Sequence, residues 1–402
     1  MIKRDETLGK LRKFADKRLV KVVTGIRRCG KSTALAMFRE ELKGKVPNAN
    51  FVVLDFERAE NRGIRTAEAL YQRVAGALAD GRGNYVFLDE IQHVEKFEEA
   101  VDALYARGDC DLYVTGSNSR LLSSEIATLL SGRHVEIHMQ PLSFAEFLSA
   151  RRNKAADVAG AWRDYVRFGS FPYATEFIPD AEAVDIYLEG LYNTIVMKDV
   201  VQRRKISDPA LLDRIVRYLF DNIGNVTTVK AVCDALSAGG RKVAPQTVDH
   251  YVEGLREAFI VRRADRYDLR GRELLKTGAK YYASDMGLRR HVLGGAVRDY
   301  GRILENLVYL ELLRRGREVH VGTSQGGGEI DFVAVMPGGL EYWQVAATVR
   351  DAATLARELR PLRERRDNYP KWLVTLDDDP PIDHDGIRQI PAFDFFLGNG
   401  RK

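Results

Sequence analysis

The chain has 402 residues, of which 45% are hydrophobic and 30% are charged, and this length predicts two to four domains. No stretch approaches the length of a membrane span and the amino terminus lacks the apolar run of a signal peptide, so we expect a cytoplasmic protein without a membrane partner. The three cysteines are isolated in the sequence, which predicts neither a disulfide framework nor a zinc site.

A glycine-rich motif near the amino terminus predicts a phosphate-binding loop. Residues 25–33 match the pattern G-x-x-x-x-G-K-[ST], with an apolar strand-like run before them and an amphipathic helical pattern over residues 33–42 after them. Backbone N–H groups and the helix dipole would then face a phosphate chain. We expect Lys31 to contact the β- and γ-phosphates of ATP and Ser32 to ligate Mg²⁺. The nucleotide-binding residues are predicted to be Gly25, Ile26, Arg27, Arg28, Cys29, Gly30, Lys31, Ser32 and Thr33.

The second half of a nucleotide site follows at residues 85–90. An apolar run over residues 85–88, typical of a strand buried on both faces, ends in Asp89-Glu90. Alone, such a pair could be a surface turn, but after a phosphate loop it indicates a Mg²⁺ ligand, Asp89, and a base for the attacking water, Glu90. A further strand-like run over residues 111–115 leads to Ser117 and Asn118, and we expect one of them, Asn118 foremost, to sense the γ-phosphate.

Several segments together resemble one family. They are, in chain order, TGIRRCGKST, VFLDEIQHV, YVTGSNSRLLSSEIATLLSGRHVEIHMQPLSFAEFL, GSFPYA, KYYASDMGLR, ILENLVYLELLRRG and EIDFVAV. The chain thus resembles prokaryotic AAA-type ATPases that carry a C-terminal domain of unknown function with a restriction-nuclease-like outline. The resemblance implies ATP hydrolysis, assembly into a homo-oligomer, and an arginine near the nucleotide, here Arg133, acting in cis or from a neighbouring subunit. Arg133 is equally well interpreted as a structural residue capping the next strand. Gly169–Pro172 resembles a turn of the same family.

Basic residues are concentrated in the middle of the chain. Residues 198–290 contain 19 Lys and Arg against 12 Asp and Glu, a balance of +7, which leaves −2 for the rest of a chain whose total is +5. A basic segment flanked by neutral ones is typical of a nucleic-acid-binding module, so we expect DNA as a partner.

The order of elements in this segment favours a winged helix. Helical patterns begin at Asp208-Pro209 and at Thr227, a third covers residues 244–258, and two strand-like runs follow at 259–267 and 279–283. The third helix would recognise DNA through Gln246, Thr247 and His250. Basic residues of the two strands and their connection would contact phosphates, namely Arg262, Arg263, Arg266, Arg270, Arg272, Lys276 and Lys280. A winged helix that docks a protein partner is the alternative.

The last hundred residues form another pattern, a helix, three strands, a helix and a strand. This order resembles the PD-(D/E)XK nuclease core, in which a helix glutamate, a strand aspartate and a Glu-x-Lys bind Mg²⁺ and activate water. Glu305 and Asp331 match the first two positions, but Gln344 and Ala346 stand where the glutamate and lysine belong. We therefore predict a degenerate nuclease site at Glu305, Asp331 and Gln344, kept for DNA binding or dimerisation.

The sequence as a whole predicts an α/β protein built from four parts. These are a P-loop AAA-type parallel-sheet ATPase core over residues 1–145, a helical lid over 146–200, a winged helix over 201–290 and a PD-(D/E)XK-like α/β domain over 296–402. The predicted function is a Mg²⁺-dependent ATPase that couples ATP to engagement of DNA, with branched or junction DNA suggested by analogy of fold alone. Two alternatives stay open: a nucleotide-switched signalling or defence protein that acts on a protein partner, and an active nuclease.

Overall fold

A computed structural model describes residues 2–119, 130–151, 157–238, 240, 242–271, 273–295, 299–323 and 328–399. The chain divides into two compact units, Met1–Pro141 with Glu257–Phe259, and Leu142–Arg256 with Ile260–Lys402. In the described part of the chain, every helix is too short or too polar to cross a lipid bilayer.

The first unit is built on a five-stranded sheet in the order β2-β3-β4-β1-β5, in which every neighbouring pair is parallel. Apolar strands covered on both faces suit a parallel sheet, and β1 is buried along its whole length. All carboxyl ends lie at one edge, where open α/β sheets bind ligands. The strands are β1 (Val20–Thr24), β2 (Asn50–Asp55), β3 (Asn84–Asp89), β4 (Cys110–Gly116) and β5 (His134–His138).

Helices pack against this sheet through apolar side chains. Val22, Val86 and Val114 from the sheet share a core cluster with Leu70 and Val101 from two helices, and each such side chain contributes about 1.5–3 kcal/mol when fully buried. The helix predicted over residues 33–42 is longer than expected, because it starts at Lys31, directly after the phosphate loop. The helices are α1 (Asp5–Phe14), α2 (Lys31–Lys45), α3 (Ala67–Ala75) and α4 (Phe97–Arg107).

The second unit opens with helices that start at clear N-caps. Ser143 and Glu146 form a capping box at the first helix, and Asp208 caps a later one with Pro209 in its first turn, as predicted. A π-helical segment, Ile195–Gln202, lies between them. The elements up to residue 283 are α5 (Phe144–Ala150), α6 (Val158–Phe168), α7 (Ala181–Thr194), α8 (Pro209–Asp221), β6 (Val226–Thr227), α9 (Val229–Ser237), α10 (Pro245–Glu257), β7 (Val261–Asp268) and β8 (Glu273–Ala283).

The remainder of the second unit begins with a helix that was not predicted (Met286–Leu293). It then follows the predicted order of helix, three strands, helix and strand, and ends with a short hairpin and a helix that were not predicted either. The hairpin has only short strands, which leave little pattern to recognise in a sequence. The elements are α11 (Met286–Leu293), α12 (Tyr300–Arg314), β9 (Glu318–Thr323), β10 (Glu329–Met336), β11 (Gly339–Ala346), α13 (Ala352–Arg363), β12 (Lys371–Thr375), β13 (Ile382–Asp383), β14 (Ile387–Pro391) and α14 (Ala392–Leu397).

One nine-stranded sheet joins the strands of the second unit, in the order β13-β14-β12-β11-β10-β9-β7-β8-β6. β7 pairs in parallel with β9, from Arg266 opposite Val321 to Asp268 opposite Thr323. The predicted winged helix (201–290) and the predicted nuclease-like domain (296–402) therefore share one sheet. The physical reason is that the outer edge of a β7–β8 hairpin carries unpaired backbone groups, which β9 satisfies.

The turn at Gly169–Pro172 wraps around a buried carboxylate, that of Asp285. The Asp285 Oδ2 atom accepts hydrogen bonds from the Ser170 N–H at 2.6 Å and the Ser170 hydroxyl at 2.8 Å, while Oδ1 accepts one from the Leu288 N–H at 2.8 Å. Gly169 has a φ of +80°, and a Cβ there would lie 2.3 Å from Asp285. Through these hydrogen bonds, Asp285 connects the turn after α6 to the start of α11.

Candidate functional site

The loop between β1 and α2 requires glycine at two positions. Gly25 has a φ of +152°, and a Cβ at this residue would lie 2.0 Å from the carbonyl oxygen of Met139, which follows β5. Gly30 has a φ of +102° in the residue before α2. Both conformations are strained for residues that carry a Cβ, so the glycines of the motif hold the loop close to the sheet edge.

The ammonium group of Lys31 lies inside the curve of this loop. Lys31 is 3% exposed, and its Nζ donates to the carbonyl oxygens of Gly25 at 3.1 Å and Ile26 at 3.4 Å. The same Nζ lies 3.4 Å from Glu90 Oε1. Burial opposes the charge, yet the neighbouring Glu90 carboxylate raises the pKa of Lys31. The Lys31 ammonium is therefore charged at neutral pH and lies where the phosphate oxygens of a nucleotide would bind.

A threonine links the two acidic residues at the end of β3. The Thr115 hydroxyl donates to Asp89 Oδ1 and accepts the Glu90 N–H at 2.9 Å, while Asp89 also shares a hydrogen bond with Ser32. Thr115 is fully buried near the end of β4, the strand between β1 and β3. Sequence reasoning missed Thr115. The available signal was its place just before the polar Gly116–Asn118 segment.

Glu90 is held in an unusual backbone conformation with its side chain restrained. Its φ of +53° lies in the left-handed region, which is uncommon for a residue other than glycine and is enriched at functional sites. Its Oε2 accepts a hydrogen bond from Gln92 Nε2, which is also 3.4 Å from the Ser117 hydroxyl. Burial raises the pKa of Glu90, but Lys31, the hydrogen bond from Gln92 and the charge of Arg27 together outweigh burial, and the pKa is lowered. Glu90 is therefore an anion at neutral pH.

Two arginines hold the loop from either side. Arg4, from the residues before α1, is 3% exposed and donates to the carbonyl oxygens of Cys29 at 2.7 Å and Gln140 at 2.6 Å. Arg27, inside the loop, pairs with Glu57 at 2.7 Å. The role of Arg4 had no local signal in the sequence, because its partners are distant along the chain.

The residues predicted to sense the nucleotide are placed differently from one another. Ser117 and Asn118 lie buried directly after β4, at the same sheet edge as the phosphate loop. Arg133 instead precedes β5, and its carbonyl accepts the N–H of Val20 at the start of β1. This geometry places the Arg133 backbone at the edge of the sheet opposite the phosphate loop, because a strand begins at one edge of a parallel sheet and ends at the other. Its side chain is half exposed and pairs with Asp102 at 3.0 Å.

The residues present fit a nucleoside triphosphate with Mg²⁺. Ser32 and Thr33 are exposed at the start of α2, while Ser32 and Asp89 offer the oxygen ligands that Mg²⁺ prefers. Among the described residues, no group of three or more His, Cys, Asp or Glu side chains is placed to hold a metal ion. At a nucleotide, Mg²⁺ uses one or two protein ligands, with phosphates and water supplying the rest, and Ser32 and Asp89 match that number.

The residues predicted to contact DNA are only partly at the surface. Gln246 and His250 are exposed on α10 and Thr247 is half-buried; Arg270 is exposed after β7, whereas Arg262, Arg263 and Arg266 are half-buried on β7. Arg272 lies outside the described residues, as does the side chain of Lys276. Lys280 is contradicted as a phosphate contact, because it is 3% exposed and is held by carboxylates. Alternation along β8 turns its side chain into the protein.

The three residues of the predicted nuclease-like site lie together in the second unit. Lys280 Nζ lies 2.9 Å from Glu305 and 3.8 Å from Asp331, and it also lies 2.7 Å from Glu329, which sequence reasoning missed. Gln344 accepts the Asp331 N–H at 3.3 Å. The juxtaposition of Glu305, Asp331 and Gln344 follows from α12, β10 and β11 being neighbours.

The parallel sheet, the phosphate loop and the acidic pair define a P-loop ATPase fold of the AAA type. A family model described as an AAA domain matches residues 17–148, and one described as a domain of unknown function (DUF8612) matches residues 159–318. An uncharacterized protein of Haemophilus influenzae is 35% identical over 401 residues, or 99% of both chains. The chain belongs to the same family as this protein, with an AAA domain followed by a domain of unknown function.

Two more distant similarities were found, one to a protein sequence and one to a solved structure. An uncharacterized protein of Methanocaldococcus jannaschii is 29% identical over 311 residues, covering 74% of this chain and 67% of the relative. A Walker-type ATPase of Pyrococcus abyssi, a solved structure, is similar with a TM-score of 0.53 and 17% identity, covering 73% of this chain and 96% of that one. At this identity the structural likeness establishes the fold alone.

Proposed function

We propose that the protein is a Mg²⁺-dependent ATPase that couples ATP hydrolysis to engagement of DNA. The ATPase proposal is supported by contacts that join the phosphate loop to an anionic candidate base. Lys31 of the loop lies beside Glu90, and the Thr115 hydroxyl bridges Glu90 and Asp89. In this proposal Lys31 exchanges its loop carbonyl partners for phosphate oxygens, and Ser32 and Asp89 hold Mg²⁺. When bound, Mg²⁺ supplies neutralisation of the phosphate charge.

Glu90 takes the role of general base in this mechanism. It accepts the proton of the attacking water, for which its lowered pKa keeps it ionised. The hydrogen bond from the Gln92 amide to Glu90 Oε2 orients the carboxylate, and the remaining lone pairs of its two oxygens can accept the proton. Asn118 would report the γ-phosphate from the end of β4. Arg133 lies at the opposite sheet edge, so we propose that it acts on the site of a neighbouring subunit in a homo-oligomer.

The nucleotide-binding step is tested by Lys31→Met. We expect the variant to bind ATP at least about tenfold more weakly, a loss of about 1.4 kcal/mol, because a buried ammonium next to the loop carbonyls is removed. Isothermal titration of ATP with Mg²⁺ measures the effect. Lys43→Met on the same helix is the matched control, since Lys43 is 46% exposed and forms a surface ion pair with Glu40 at 3.0 Å. Equal affinity of both variants would contradict the assignment of Lys31.

DNA engagement is supported by the basic middle segment and by a groove on the last domain. The arginines of β7 are half-buried, so less of their surface is open to DNA phosphates than the sequence predicts. A groove of about 460 Å³ is lined by Ala356, Arg360, Arg363, Glu364 and Arg366. All three of these arginines are exposed, so their guanidinium groups face solvent where a phosphodiester backbone could bind.

We expect reversal of the groove charges, Arg360→Glu, Arg363→Glu and Arg366→Glu together, to weaken DNA binding steeply at low salt. If the three arginines contact phosphates, the slope of log K against log salt falls by about 2.7, or 0.9 for each contact. Fluorescence anisotropy with a labelled duplex over a salt series measures this slope. The control reverses Arg58, Arg163 and Arg350, which are 67%, 72% and 64% exposed elsewhere. If both triple variants lose the same DNA affinity, the loss comes from the change in net charge, and the groove is not the DNA-binding surface.

A further inference from the structure

A buried lysine lies among three carboxylates in the second unit. Nζ of Lys280, on β8, is 2.9 Å from Glu305 of α12 and 2.7 Å from Glu329 of β10. It is also 3.8 Å from Asp331, two residues further along β10. An ammonium group donates hydrogen bonds and accepts none; here Glu305 and Glu329 are within hydrogen-bond distance of it, and Asp331 is within ion-pair distance. We refer to Lys280, Glu305, Glu329 and Asp331 as the carboxylate cluster.

The polar atoms around the cluster are engaged within the protein. Glu305 also accepts a hydrogen bond from the Tyr282 hydroxyl at 2.7 Å, and Asp331 Oδ2 accepts the Val345 N–H at 2.8 Å. The Gln344 amide is engaged at both ends, because its oxygen accepts the Asp331 N–H and its nitrogen donates to Glu358 at 2.9 Å. The glutamine that replaces the expected glutamate is therefore part of an internal hydrogen-bond network.

The nuclease-like outline of this domain implies Mg²⁺, and the residues present do not fit it. Mg²⁺ requires six oxygen ligands at about 2.0–2.1 Å, whereas a positive charge already lies between these carboxylates and would repel a second cation. In the part of the chain that the structure describes, no set of three acidic, histidine or cysteine side chains is arranged for a metal. A lysine is therefore present in this region although Ala346 stands at the lysine position of the nuclease motif. It is Lys280 of β8, and its ammonium lies where a nuclease of this type would hold its divalent cation.

We propose that the Lys280 ammonium takes the place of a divalent cation in the carboxylate cluster. The cluster then binds β8 to α12 and β10 through internal ion pairs and has no metal-dependent nuclease activity. Burial and repulsion by Glu305 raise the pKa of Asp331 well above its usual range, which reduces the negative charge that a single ammonium must balance. Removal of Lys280 would leave a cavity rich in carboxylate oxygens, which are ligands for Mn²⁺ and Mg²⁺.

Titration of the full-length protein with Mn²⁺, followed by electron paramagnetic resonance without nucleotide, tests this proposal. We expect Lys280→Ala to bind one more Mn²⁺ per chain than the wild type, and Mn²⁺ to raise the melting temperature of the variant only. Adding Asp331→Asn to Lys280→Ala removes the extra ion. Lys21→Ala is the matched control, because the Lys21 side chain is also buried and forms an ion pair with Asp111 outside the carboxylate cluster, and we expect this variant to gain no Mn²⁺.

Three uncompensated carboxylates could prevent folding of Lys280→Ala. The double variant Lys280→Ala with Glu305→Gln removes one like charge and keeps two carboxylates for the same titration, with near-ultraviolet circular dichroism as the test of folding. A folded variant that binds no more Mn²⁺ than Lys21→Ala would overturn the proposal. It would also be overturned by wild-type protein that binds Mn²⁺, or nicks plasmid DNA with Mn²⁺, in a manner lost in Asp331→Asn.

Discussion

Glu90→Gln is expected to lower the rate constant of ATP hydrolysis by about 10²–10⁴-fold, the range for loss of a general base. Glutamine has the size of glutamate and still accepts the hydrogen bond from Gln92, but it cannot take a proton from water at neutral pH. ATP affinity should not fall, because the change keeps the phosphate loop and Lys31 and removes a negative charge 3.4 Å from the Lys31 Nζ. Steady-state phosphate release and ATP titration measure the two quantities separately.

Glu41→Gln is the matched control for this variant. Glu41 lies on α2 at a distance of ten residues from Lys31 and pairs with Arg12 at 2.7 Å, so the same chemical change is made away from the phosphate loop. Hydrolysis by Glu41→Gln should equal that of the wild type. If Glu90→Gln hydrolyses ATP at the wild-type rate, another group activates the water and the assignment of Glu90 is wrong.

Asp285→Ala is expected to reduce the free energy of unfolding of the second unit by about 3–5 kcal/mol. The change leaves the buried N–H groups of Ser170 and Leu288 without their carboxylate acceptor, and each unsatisfied buried group costs about 1–3 kcal/mol. Loss of the Ser170 hydroxyl contact adds to this cost. Urea unfolding followed by circular dichroism gives the difference from the wild type.

Asp180→Ala makes the same substitution at an exposed N-cap. Asp180 accepts the N–H of Ala183 at the start of α7, and the loss of such a cap costs about 0.5–2 kcal/mol. The two variants therefore differ mainly in burial of the carboxylate. Should Asp285→Ala cost no more than Asp180→Ala, the turn at Gly169–Pro172 is not held by Asp285 in the way that we describe.

Much of the nucleotide site could be predicted because its signals are local. A glycine pattern between a strand and a helix specifies the loop, and an apolar run that ends in two acids specifies Asp89 and Glu90. Thr115 and Arg4 could not be predicted in the same way. Their roles depend on which strands are neighbours, and β4 lies between β1 and β3 although it follows both in the chain.

Long-range pairing also explains what was missed in the second unit. Pairing of β7 with β9 joins elements that were predicted as separate domains, and hydrophobic patterns carry no information on such partners. Lys280 was assigned to DNA because it is basic and follows other basic residues. The available signal was the aromatic Tyr282 two residues further along the same strand, since alternate residues of a strand share a face and the structure buries Tyr282.

Coupling of ATP hydrolysis to DNA can be measured as steady-state ATP hydrolysis with Mg²⁺, alone and with single-stranded, duplex and four-way-junction DNA. We expect hydrolysis to increase with at least one of these DNA forms and to be lost with all of them in Glu90→Gln. Hydrolysis that is lost in Glu90→Gln but is unchanged by every DNA form would contradict the coupling, and it would direct attention to a protein partner instead.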